Sequence, residues 1–228
     1  MISANEYYLL ILNEFSTREN SEIAAQQSRY MKNQFAYLGL KAPVWQGTLR
    51  KLIAENGILR GEVLADFVDL CFADDHREMQ YAAIEMAQRA VKKEELGFIA
   101  VIEQMIVRKS WWDSVDWIAS GMVGAYFQRF PEEVLPLTTR WMKSENMWLQ
   151  RTAILFQLKY REKTDLNLLG KYILMVADSR EFFVRKAAGW ALRTASAYFP
   201  EFVIDFVEQN PHLSGLTKKE ALRNIPKK

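Results

Sequence analysis

Within Lys109-Ser110-Trp111-Trp112-Asp113-Ser114-Val115-Asp116-Trp117, three tryptophans and two carboxylates follow Arg108. On a helix, Trp112 and Asp116 lie one turn apart on the same face. An electron-rich ring beside a carboxylate suits a cationic ligand, or a reaction in which positive charge develops. Metal chemistry has little to build on. Cys71 is the one cysteine, His76 and His212 are the two histidines, and the spacing of Cys71 and His76 is no metal-ligand signature. A single cysteine also excludes an internal disulfide framework and fits a reducing compartment.

The elements that must position these residues read as helices. In 228 residues, half of them hydrophobic, glycine (10) and proline (6) are scarce, which disfavours a turn-rich β architecture. Apolar residues recur at helical spacing: Leu59, Val63, Phe67 and Leu70; then Ile99, Ile102 and Ile106; then Leu168, Leu169, Tyr172, Ile173 and Val176. Thr164-Asp165 and Thr217 stand where helices begin, and Pro131 and Pro200 where a first turn accepts proline. No strand alternation is evident. The chain is expected to be all-α, one domain over residues 1–228, with about a dozen helices of ordinary length.

A repeat underlies the helices. Met79-Gln80-Tyr81-Ala82-Ala83-Ile84 is similar to Leu149-Gln150-Arg151-Thr152-Ala153-Ile154 and to Val184-Arg185-Lys186-Ala187-Ala188-Gly189. The last two begin 35 residues apart, and the first lies twice that distance before the second. The intervening register is Ser114-Val115-Asp116-Trp117-Ile118-Ala119. This period is that of two-helix repeats, whose stacking gives a curved solenoid. Small alanines at matching positions let neighbouring helices approach closely. Tyr81, Asp116, Arg151 and Lys186 share one slot of the repeat and are expected on one face.

The formal net charge is only +2, but its distribution is uneven. Acidic residues gather at Glu55, Glu62, Asp66, Asp69, Asp74, Asp75 and Glu78. Basic residues gather at Arg185, Lys186, Arg193, Lys218, Lys219, Arg223, Lys227 and Lys228. Localised basicity is the footprint of a nucleic-acid binder, and a solvated charged face is the plainer reading. Asp116 in a slot that later repeats fill with Arg151 and Lys186 opposes simple phosphate binding and suggests a local task. The sequence start has no basic segment or cleavage site of a secretory signal, and no apolar run long enough to span a membrane occurs. A cytoplasmic protein is expected.

Several of these stretches resemble the AlkD-like DNA alkylation repair glycosylases. They are Tyr30-Met31-Lys32-Asn33, Leu38-Gly39-Leu40 with Pro43, Lys109 to Asp116, Trp148 to Tyr160, and Phe182 to Arg193, in order along the chain. The resemblance implies a right-handed-type α-solenoid of HEAT-like two-helix repeats with a concave DNA-binding face. It also implies hydrolysis of the N-glycosidic bond of cationic alkylated purines, N3-methyladenine and N7-methylguanine, in duplex DNA. By motif match the catalytic residues fall on Asp116, Trp112 and Trp190, the DNA-contacting arginine on Arg151, and a backbone-contacting tyrosine on Tyr30. Arg185, Lys186 and Arg193 are further expected phosphate contacts. The implied partner is double-stranded DNA containing alkylated bases, with which the protein would be nucleoid-associated when bound. No cofactor, metal or membrane is expected, and a monomer is expected because a solenoid of paired helices has no need to dimerise. After Pro43 the chain departs from the pattern: Val44-Trp45-Gln46 replace basic side chains, which either weakens a phosphate contact or substitutes stacking.

Plainer readings accompany each residue. Trp111 is expected to pack inward, since adjacent helical residues do not share a face, and Trp117 and Trp148 are also expected to be packing residues. Asp116 could be a surface aspartate, and Lys186 and Arg193 solvated cations. As alternatives to a glycosylase stand a non-catalytic HEAT-like module binding bent or branched DNA, and a protein scaffold. The intact Trp112, Asp116 and Trp190 argue against the first, and the basic repeat slots against the second.

Overall fold

The structure, a computed structural model, describes residues 2–225; Lys227 and Lys228 of the basic C-terminal group lie outside the described residues. Among the described residues the chain is all-α, and its one β-type pairing is an isolated bridge between Ala36 and His76. It forms two compact units, Met1–Lys109 and Ser110–Lys228. At their boundary Lys109 takes a left-handed φ of 44°. No helix among the described residues is long and apolar enough to cross a membrane.

The first unit contains α1 (Ala4–Ser16), α2 (Ser21–Tyr30), α3 (Ala42–Asn56), α4 (Gly61–Ala73), α5 (Arg77–Ala90) and α6 (Ile99–Val107). Ser3 and Glu6 close a capping box on α1. The buried stripe of α4 is Leu64, Phe67, Val68, Cys71 and Phe72. It is rotated from the expected one: Leu59 precedes the helix, and Val63 and Leu70 are only half-buried. Apolar residues on both sides of Phe67 leave the centre of the stripe open in the sequence. Packing of α4 against α1 and α5 decides it.

At the start of α5 two charged residues are fully buried, Arg77 and Glu78. The Glu78 carboxylate accepts from the backbone N–H groups of Leu38, Gly39 and Leu40 at 3.0, 2.9 and 3.1 Å. Three such bonds satisfy a carboxylate that would otherwise be costly to bury. They pin the loop leading out of α2. Gly39 is required there, with φ at +88° and room for no Cβ: one would meet the Asn20 carbonyl oxygen at 2.0 Å.

The second unit contains α7 (Trp112–Trp117), which runs through a π-helical segment (Ile118–Val123) into α8 (Gly124–Arg129). There follow α9 (Val134–Lys143), α10 (Met147–Leu155), α11 (Leu166–Met175), α12 (Phe182–Ala195), α13 (Pro200–Gln209) and α14 (Gly215–Ala221). Asp165 caps α11 and Pro200 opens α13, as expected, while Pro131 opens a 3-10 turn before α9. Thr217 is not a cap. Ser214 holds that position, its hydroxyl accepting from the Thr217 N–H at 3.0 Å.

The repeat has a structural basis. Gln80 and Gln150 each donate a side-chain N–H to a carbonyl six residues earlier, at the end of the preceding helix: Asp74 at 2.9 Å and Ser144 at 2.8 Å. That bond satisfies orphan carbonyls and fixes how one helix turns into the next. The register alanines Ala82, Ala83, Ala119, Ala153, Ala187 and Ala188 are all buried, as close helix approach requires.

Candidate active site

One cleft of about 440 Å³ in the second unit is lined by Trp112, Asp116, Arg151, Phe182, Phe183, Lys186, Trp190, Arg193, Glu220 and Arg223. Three helices supply the central members. Trp112 opens α7 and Asp116 follows one turn later; Arg151 comes from α10, and Trp190 from α12. The lead-in to α7 sets their facing. Trp111 is extended (φ −157°, ψ 164°), and its ring packs against Phe183 and Trp148 at 5.2 and 5.9 Å between centroids. With that ring turned inward, helical geometry presents Trp112 to the cleft. Trp148 is buried as expected.

Asp116 and Arg151 form a two-pronged ion pair. Arg151 Nε donates to Asp116 Oδ1 at 2.6 Å and Nη2 to Oδ2 at 2.8 Å. Its Nη1 donates to the Phe183 carbonyl, so each of the three guanidinium nitrogens has a partner. Arg151 is 3% exposed, so it does not project as a free phosphate contact. A bidentate fork fixes carboxylate orientation as well as charge. Burial pushes the Asp116 carboxyl above the usual aspartate range, and Arg151 opposes that shift. The result is a partly buried carboxylate in a fixed plane, lining the same cleft as the Trp112 and Trp190 indoles.

The remaining expected residues are distributed unevenly. Lys186 and Arg193 line the cleft, and both pair with Glu220; Arg223 Nη1 lies 3.8 Å from the same carboxylate. Arg185 is half-buried and does not line the cleft. Tyr30 ends α2 in the first unit and is 69% exposed. Trp45 is buried and stacks on Tyr81 with centroids 5.6 Å apart, so it offers no free stacking face. Sequence reasoning did not assign Phe182, Glu220 or Arg223 to the site, although Arg223 stood in the basic C-terminal group and Phe182 in a stretch that carries the resemblance. Phe182 is 54% exposed and lines the cleft, its ring edge-on to Phe183 with centroids 5.4 Å apart. Glu220 falls one residue short of the 35-residue register that would follow Lys186, so the repeat does not single it out.

Among the described residues the protein is all-α, and one cleft brings together a fixed carboxylate, two indoles and several cations. The chain belongs to the DNA alkylation repair enzyme family, which it matches over residues 11–225. Its fold is similar to a predicted DNA alkylation repair enzyme from Enterococcus faecalis, with 32% identity and a TM-score of 0.86 over 92% of this chain and 98% of that one. It is also similar in fold to AlkD2 from Streptococcus mutans, with 17% identity and a TM-score of 0.67 over 99% and 100% of the two chains. A third solved structure, smu.31 from Streptococcus mutans UA159, is 17% identical over 79% of this chain and 92% of that one, with a TM-score of 0.61. None of the curated proteins matches the chain.

Proposed function

We propose that the protein is a monofunctional DNA glycosylase that removes cationic alkylated purines, such as N3-methyladenine and N7-methylguanine, from duplex DNA. The observation that carries this reading is the Asp116 carboxylate, held in one plane by Arg151 and lining the same open cleft as Trp112 and Trp190.

The chemistry fits that arrangement. An alkylated purine already bears positive charge, so its glycosidic bond breaks without a general acid. The bonding electron pair goes to the base, which leaves neutral, and positive charge moves to the deoxyribose. Asp116 stabilises that oxocarbenium-like sugar and orients the attacking water, whose oxygen bonds C1′ and whose proton passes to the carboxylate and then solvent. Indole faces add roughly 0.5–2 kcal/mol each as cation–π contacts that strengthen as charge develops. The family resemblance implies a lesion that stays stacked in the duplex instead of being extruded into a closed pocket, and a cleft open to solvent is compatible with that. Lys186, Arg193 and Arg185, with Tyr30 in the first unit, supply backbone contacts. Arg151 acts through Asp116.

Duplex DNA carrying N7-methylguanine tests the reading by release of free base. Release well above spontaneous depurination is expected. Tight binding with no release would instead make the protein a DNA-binding module.

A further inference from the structure

The cleft holds a second buried carboxylate, Glu220, with no role in the chemistry above. It lies on α14, 6% exposed, and Lys186, Arg193 and Arg223 converge on it. Several cations offset the desolvation of a carboxylate at that depth. Local sequence is shaped to bring it there. At Gly189, a Cβ would lie 2.6 Å from the Glu220 Cβ and 2.8 Å from the Thr217 carbonyl oxygen. The Thr217 hydroxyl also ties α14 to α12, donating to the Arg185 carbonyl at 3.2 Å. A larger residue at 189 would push Glu220 away from Lys186 and Arg193.

We propose that Glu220 is a positioning residue that gathers Lys186, Arg193 and Arg223 into a cradle for a single DNA phosphate beside Trp190, a role that rests on this cleft being where DNA binds. Three cations less one carboxylate leave the cradle at +2. Lysine and arginine side chains are long and flexible, and each loses rotamer freedom when fixed. Glu220 fixes them before DNA arrives, so the phosphate meets a preformed point instead of a diffuse positive surface. It gives up some attraction for any polyanion and gains a defined register of the strand against Asp116.

Binding to undamaged duplex across a salt series, followed by single-turnover excision, tests this with two variants. Glu220→Gln keeps the packed methylenes and removes the charge. It is expected to steepen the slope of log affinity against log salt by about one and to tighten binding to undamaged duplex at low salt. Excision should fall about tenfold as the strand loses its register. Glu220→Asp keeps the charge on a shorter stem, so the wild-type slope is expected with slower excision. An unchanged or shallower slope in Glu220→Gln overturns the proposal. So does equal steepening in Glu220→Asp, unaltered excision, or a joint fall of affinity and excision, which marks a merely structural residue. If the wild-type protein releases no base, the glycosylase reading fails by itself, and the two slopes still decide the role of Glu220.

Discussion

Each unit of the molecule buries an arginine, and the two are used in opposite ways. In the first unit, Arg77 is fully buried; its guanidinium lies 3.8 Å from the Phe35 ring centroid and 5.7 Å from that of Tyr81, and it donates to the Lys109 carbonyl at 2.8 Å. Tyr81, in the repeat slot, stacks on Trp45. In the second unit, Arg151 also donates to a backbone carbonyl, that of Phe183, but the rest of its fork grips Asp116 at the wall of an open cleft. Buried acids divide likewise. Glu78 spends its oxygens on three backbone N–H groups and closes a loop, whereas Asp116 keeps one side toward the cleft. One repeat register can thus be filled with packed rings or with an accessible ion pair. Chemistry is available where packing is left incomplete.

Removing one partner from each unit would break this contrast if it is wrong. Arg151→Ala and Glu78→Ala both strand buried polar groups and should each cost about 3–5 kcal/mol in urea unfolding. Only Arg151→Ala should also abolish excision per folded molecule. Equal excision in the two variants would show that the Arg151 fork is structural alone.

Asp116→Asn sharpens the comparison at the level of chemistry. Excision should fall on the order of 10²–10³-fold, with DNA affinity within a few-fold of wild type. Losses of equal size in both would remove the proposed transition-state role. Wild-type excision should rise with pH through a midpoint above the ordinary aspartate value of 3.8, because burial raises the folded-state pKa, and Asp116→Asn should lack that limb. The stability contribution of this group runs the other way. The folded state holds the proton more tightly than the unfolded chain, so the contribution is fullest below 3.8 and is lost as pH rises through the raised folded value.

The smallest effects concern the indoles. Trp190→Leu should slow release of cationic bases by roughly 2- to 30-fold and leave the melting temperature nearly unchanged, since the ring is half-exposed. Trp45→Leu should lower stability by about 1–3 kcal/mol with excision intact. A melting loss at Trp190 as large as that at Trp45 would reassign it to the core.

Much of this was legible in the residues. Gln80 and Gln150 made the repeat visible because each carries a bond the fold needs, and Trp112 with Asp116 marked the cleft-lining face because helical spacing alone places them together. The partner of Arg151 was hidden. Its slot mate lies one whole repeat away, and only the distance between α7 and α10 decides whether a fork reaches a carboxylate or solvent. Glu220 was hidden for a similar reason: α14 is short, without a motif, and its meaning comes from Gly189. Trp45 was misleading because its type suits both stacking on a ligand and stacking on Tyr81.

The Asp116–Arg151 pair has a consequence for the order in which the protein is made. Synthesis delivers α7 first, α10 a full repeat later, and α12 and α14 later still. A growing chain that has emerged only through α9 carries Asp116 without its counter-ion, beside half a cleft. Burial of Asp116 as an anion therefore depends on α10, which brings the counter-ion that offsets its desolvation. A chain truncated before α12 therefore lacks the wall of the cleft that carries Trp190 and Glu220.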